Sequence, residues 1–98
     1  MNQAGARPEK VQTMSITILY FASLRESLGI DRERVELPVG VGTAGHLRAW
    51  LRERGSPWAE LLAEGRAVRV AVNQSMADEN TPVPPGAEVA FFPPVTGG

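Results

Sequence analysis

The sequence predicts an α+β domain, a mixed sheet packed on one main helix, and three observations predict it. Residues 15–22 (SITILYFA) gather β-branched and aromatic side chains into one run. Residues 43–55 repeat apolar side chains at helical spacing between a threonine and a glycine. Residues 87–92 return to a two-residue alternation just before the chain ends.

In the first strand, Ile16, Ile18 and Tyr20 share one face and Thr17, Leu19 and Phe21 the other, the pattern of a central strand. Leu24 to Leu28 makes a short helical turn closed by Gly29. Arg32 to Leu37 then alternates Arg34 and Glu36 with Val35 and Leu37, which predicts an antiparallel second strand with one polar face. Gly40 and Gly42 break the chain, and Thr43 caps a helix in which Leu47, Trp50 and Leu51 recur at i, i+3 and i+4, ending near Gly55. Arg48, Arg52, Glu53 and Arg54 are expected to lie largely towards water. Ser56 and Pro57 start a second, short helix with Trp58, Leu61 and Leu62 as its stripe and Gly65 as its stop.

Ala67 to Val72 sets Val68, Val70 and Val72 on one face, and Ala87 to Phe92 sets Val89 and Phe91 against Ala90 and Phe92; both read as strands. Between them, Asn73 to Gly86 has turn composition, with room for a short strand around Ser75 to Ala77. This order of elements fits a roll of the β-grasp kind. Residues 1–14 are polar with Gly and Pro and are expected to be a disordered extension, residues 15–92 form the domain, and residues 93–98 an extended reactive tail.

Composition narrows the function. A chain of 98 residues has room for one core and no deep private active site, and its longest apolar runs fall short of the ~20 residues of a membrane span. Ten basic against eleven acidic side chains, a formal charge of -1, give no electrostatic grip on nucleic acid. Without cysteine, and with His46 as the sole histidine, neither a zinc cluster, a disulfide framework nor a thiol nucleophile can be assembled. His46 has no second ligand type near it, and Trp50 and Trp58 are most simply core. The start of the chain lacks the apolar stretch of a secretory signal, so a cytoplasmic location is expected.

The chemistry is expected at the C-terminus. Pro93 and Pro94 end the last strand because they cannot donate ladder hydrogen bonds, and they stiffen the exit of the tail. Extended at ~3.3 Å per residue, Pro93 to Gly98 would carry the terminal carboxylate roughly 20 Å from the sheet. Gly97 and Gly98 lack β-carbons, so that end can thread a channel too narrow for a side chain. A carboxylate is a poor electrophile. Activation by transfer to AMP would let sulfur displace AMP, leaving a thiocarboxylate, or let an amine capture the carbonyl; the chain carries no P-loop of its own for the first step.

Tyr20-Phe21-Ala22-Ser23-Leu24-Arg25-Glu26, Ala71-Val72-Asn73-Gln74 and Glu88-Val89-Ala90-Phe91-Phe92-Pro93-Pro94-Val95-Thr96-Gly97-Gly98 together resemble the small, sulfur carrier subunits of molybdopterin synthase, ubiquitin-like β-grasp proteins. The resemblance runs from about Ser15 to Gly98. Where that family usually has Gly-Asp-Glu before the last strand, this chain has Gly86-Ala87-Glu88. The resemblance implies that Gly98 is adenylated by an ATP-dependent enzyme, converted to a thiocarboxylate by a sulfur donor, and inserted into a large catalytic subunit within a heterotetramer. There it donates sulfur to cyclic pyranopterin monophosphate, two donations building the dithiolene of molybdopterin. It further implies that Pro93, Pro94, Val95, Thr96 and Gly97 bind as the tail, and that Phe21, Met76 and Phe92 form an apolar docking patch with Arg25 pairing an acidic residue of the partner. No cofactor or metal is expected to be bound by the chain itself, and neither a membrane nor a nucleic acid is an expected partner. Two alternatives share the Gly-Gly end: a sulfur carrier for thiamin or tRNA thiolation, and a ubiquitin-like modifier of lysines.

Overall fold

In the computed structural model, β1 (Met14–Tyr20) and β5 (Glu88–Phe92) run parallel at the middle of a five-stranded sheet ordered β2-β1-β5-β3-β4. The structure describes residues 14–94, so residues 1–13 of the expected extension, and Val95, Thr96, Gly97 and Gly98 of the tail, lie outside the described residues. Met14, assigned from the sequence to the extension, instead opens β1 and pairs with Leu37. β2 (Arg32–Leu37) lies antiparallel to β1, while β3 (Arg69–Val72) lies antiparallel to both β5 and β4 (Ser75–Ala77). The chain is thus the mixed α+β sheet that the alternation predicts. Glu88 begins the central strand β5.

One face of the sheet is covered. Ile16, Ile18 and Tyr20 of β1, Leu37 of β2, Val72 of β3, and Val89 and Phe91 of β5 bury their side chains. They form one core with Leu24 of α1 (Ala22–Leu28), Leu47 and Leu51 of α2 (Ala44–Arg52), and Leu62 just past α3 (Trp58–Leu61). Ala87 is part of this core too. Among the described residues no helix is long and apolar enough to cross a membrane.

The main helix is docked at its start. Thr43 accepts from the His46 N–H at 3.1 Å, capping α2 as its sequence predicts. The next two N–H groups, of Ala44 and Gly45, donate to the carbonyls of Thr81 and Glu79, both at 2.9 Å. A Cβ at Gly45 would sit 2.8 Å from Glu79 Cβ and 2.9 Å from its carbonyl oxygen, so this approach of helix to loop requires glycine.

Three arginines depart from the expectation that they face water. Arg48 donates from Nε to the Leu62 carbonyl at 2.8 Å and from Nη2 to the carbonyls of Ala63 and Arg66, and Arg52 reaches the same Leu62 carbonyl at 3.3 Å. Leu62 is the C-cap of α3, and Ala63 and Arg66 lie in the turns beyond it, so the guanidinium groups satisfy carbonyls at and past the end of the short helix. Burial, with Arg52 alongside, holds the Arg48 guanidinium below its usual pKa. Arg54 grips Glu33 with both nitrogens, at 2.8 and 3.1 Å, and lies 4.7 Å from the Trp58 ring centre and 5.6 Å from that of Trp50. Trp50 and Trp58 are therefore half-buried plates between core and cation.

Candidate functional site

The face of the sheet opposite the core presents the residues the sequence marks for docking. Because strand side chains alternate, the buried pair Tyr20 and Phe91, aligned in register and stacked with ring centres 6.4 Å apart, puts Phe21 and Phe92 on the other side. Phe21 is 44% exposed and Met76 63%. Register then extends the patch beyond the residues picked from sequence. Leu19 faces Ala90, Ala90 faces Ala71, and Ala71 faces Met76, an apolar row crossing β1, β5, β3 and β4. Phe92 pairs with Arg69 in the next row, beside Phe21, whose N–H donates to the Phe91 carbonyl at 3.2 Å.

Charge lies at the borders of this row. Arg32 pairs with Leu19 and Arg34 with Thr17 on the β2 side, while Arg69 closes the side nearest the tail. Arg25 stands exposed in the last turn of α1, which Gly29 ends in the left-handed conformation with its N–H on the Arg25 carbonyl. The structure thus brings Phe21 and Phe92 together and places Met76 on β4, two strands over from Phe92 and three from Phe21, in the neighbouring row. Arg25 stays on the adjoining helix. Pro93 and Pro94 are half-buried at the end of β5, and the chain continues from there towards Gly98.

Two positions next to the patch have unusual backbones. Ala22, the first residue of α1 after its N-cap Phe21, holds φ at 55°, a conformation that costs an alanine about 1 kcal/mol or more. Asn73 and Gln74, at 51° and 71°, form the two-residue turn joining β3 to β4 with the handedness that matches strand twist. Asn73 also clamps the central strand: its N–H donates to the Glu88 carbonyl at 2.8 Å, and its Oδ1 accepts from the Glu88 N–H at 2.9 Å. This gives the Ala-Val-Asn-Gln segment a physical role that composition alone does not reveal, since Asn is both tolerant of the left-handed region and able to imitate a peptide group.

On the covered side, Tyr20 anchors the same strand end. Its hydroxyl donates to Glu33 Oε2 at 2.7 Å and accepts from Trp58 Nε1 at 3.2 Å. Burial, together with the neighbouring carboxylate, pushes the phenol far above its ordinary pKa. For Glu33, burial pulls upward, but hydrogen bonds from Arg54 and Tyr20 outweigh it and hold the carboxyl below its usual range. These groups are spent on one another and fix where β1 ends and Phe21 begins.

An exposed apolar row thus lies beside the end of β5. The ThiS family pattern matches residues 18–98, including the terminal Gly-Gly pair. The chain belongs to the ThiS family. Within it, the chain is 40% identical over 83 residues to the molybdopterin synthase sulfur carrier subunit of Haemophilus influenzae, covering 85% of this chain and 99% of that protein. Its fold superposes with a TM-score of 0.56 on a chain from the complex of subunits 1 and 2 of the molybdopterin-converting factor from Helicobacter pylori, at 26% identity, covering 87% of this chain and all of that one. The small archaeal modifier protein 1 of H. volcanii superposes at 0.67 with 27% identity, covering 84% of this chain and 99% of that one. This ThiS-family chain spans nearly the whole length of each.

Proposed function

We propose that this protein is the sulfur carrier subunit of molybdopterin synthase and that Gly98 is its reactive group. The observation that carries the reading is that the family match continues through residue 98 beyond a sheet whose open face shows Phe21 and Met76 to solvent. In this reading the Gly98 carboxylate attacks the α-phosphate of ATP on an activating enzyme, and pyrophosphate leaves. A sulfur donor then displaces AMP to give the thiocarboxylate. Phe21, Met76 and Phe92, bordered by Arg25, dock the large subunit so that Pro93 to Gly97 thread into it. Catalytic groups for sulfur transfer to cyclic pyranopterin monophosphate come mainly from that partner, in the cytoplasm, within a heterotetramer; ATP is a substrate of the activating enzyme only.

The test is reconstitution. Thiocarboxylated protein, mixed with the large subunit and cyclic pyranopterin monophosphate, should yield molybdopterin, and a chain lacking Gly97 and Gly98 should yield none. Formation of molybdopterin by the truncated chain at the wild-type rate would reject the proposal. A second reading is favoured by the similarity to the archaeal modifier: Gly98, once adenylated, joins lysines of other proteins. Tagged protein expressed in its host would then appear in higher-mass conjugates that vanish with the same truncation.

A further inference from the structure

The arginines of the described residues divide by face. On the covered side, Arg48, Arg52 and Arg66 donate to backbone carbonyls and Arg54 donates to Glu33. On the open side, Arg32 and Arg34 of β2 and Arg69 of β3 are exposed, and their guanidinium groups make no hydrogen bond or ion pair with another described residue. Strand parity accounts for the split. Glu33 stands between Arg32 and Arg34 in the sequence but faces the core side, where its carboxylate is spent on Arg54 and Tyr20. The row through Leu19 and the row through Phe92 hold Arg32 and Arg69 and no carboxylate; Glu88 and Glu36 enter only in the following rows, beside Thr17 and Ser15.

An edge strand commonly carries charge to repel other strands, which would explain Arg32 and Arg34 on β2. It does not explain Arg69, because β3 is paired on both sides. Strand β3 lies three strand spacings of about 4.8 Å from β2, so at low salt the three charges act within about two screening lengths of one another, with the apolar row between them. An apolar strip flanked by unpaired cations matches a protein surface whose apolar contacts are flanked by carboxylates; a nucleic acid would need a continuous basic track in place of that strip. We infer that Arg32, Arg34 and Arg69 select a partner with an acidic rim and act by steering its approach to the open face. The inference rests on the large subunit as the partner proposed above, and it assigns chemistry to that subunit's docking surface: Asp or Glu side chains on either side of an apolar patch. Charges at such a rim set how fast the partners meet, while the buried contacts set how slowly they part.

The experiment follows association of the full chain with the large subunit by surface plasmon resonance at about 25 mM and about 500 mM NaCl. The variant Arg32→Gln, Arg34→Gln, Arg69→Gln is compared with Val39→Glu, Gly42→Glu, Gly65→Glu, which makes the same change in net charge at exposed positions in the loops before α2 and after α3, where a Cβ added at either glycine meets nothing. At low salt the first variant should associate about fivefold or more slowly than wild type, with a dissociation rate within about twofold, and the difference should fade at high salt. The second variant should track wild type within about twofold, and Arg32→Lys, Arg34→Lys, Arg69→Lys should restore the rate, since charge rather than guanidinium geometry does the steering. Equal association rates for wild type and the glutamine variant, an equal loss in the loop variant, or failure of the lysine variant to recover overturns the inference. So does competition by bulk tRNA for the large subunit's place on wild type but not on the glutamine variant, which would make the face a nucleic-acid surface. Absence of any binding by wild type at either salt concentration rejects the proposed function and this inference with it, whereas binding at charge-independent rates rejects the inference alone.

Discussion

Tyr20 and Phe21 are neighbours in the chain, as are Phe91 and Phe92, yet each pair divides between the two faces of one sheet. Tyr20 and Phe91 are 1% exposed and held by core packing, a phenol bonded on both sides and a stacked ring; Phe21 is 44% exposed. The difference teaches that a single step along a strand separates what keeps this protein folded from what it shows to solvent. Stability and surface chemistry are therefore separable by mutation, residue by adjacent residue.

The largest expected effect breaks the comparison from the buried side. Phe91→Ala should destabilise the fold by about 3–5 kcal/mol, whereas Phe92→Ala should cost about 1 kcal/mol or less; denaturant titration checks both, and similar losses would show the two faces to be energetically alike. On the open side, the double substitution Phe21→Asp, Met76→Asp should leave the melting transition near that of wild type while weakening binding to the large subunit about tenfold or more, read by calorimetry. Unchanged affinity would remove the open face from the docking reading.

Smaller effects sharpen the picture at the end of β1. Because Glu33 is held below its ordinary value of 4.5 in the folded state, the stability it confers is present above that pH and disappears as pH falls through the lower folded value. Glu33→Gln should therefore be about 1 kcal/mol less stable than wild type at neutral pH, and thermal melts should bring the two together in strong acid. The Tyr20 phenol acts in the opposite sense, its contribution declining as pH rises beyond its ordinary 10.0. The smallest change is a gain: Gln74→Gly should add up to about 1 kcal/mol by relieving a side chain at φ 71°, and a lowered melting temperature would mean that Gln74 makes a compensating contact.

Much of this was legible in the residues. Strand parity in SITILYFA and EVAFF divided the aromatic residues correctly, Thr43 capped α2, Gly29 closed α1, and Arg32 to Leu37 formed a strand with those bounds. The failures share a cause. Arg48 and Arg52 sit on the polar side of α2 and Arg54 just past its end, and nothing local distinguishes an arginine in water from one spent on carbonyls at the end of a short helix or on Glu33, 21 residues distant. Leu19, Ala71 and Ala90 escaped selection because each is an ordinary strand residue until the register aligns them into one row.

The sequence by itself determined which side chains share a face and where helices begin and stop, since those properties come from backbone geometry and residue type over a few positions. Only the tertiary structure decided that β5 lies between β1 and β3, that the helices cover one face and leave the other open, and which cation meets which carbonyl. The reason is physical: these outcomes depend on strand pairings and burial between residues far apart in the chain, where the energy of each contact belongs to the pair and to neither residue alone.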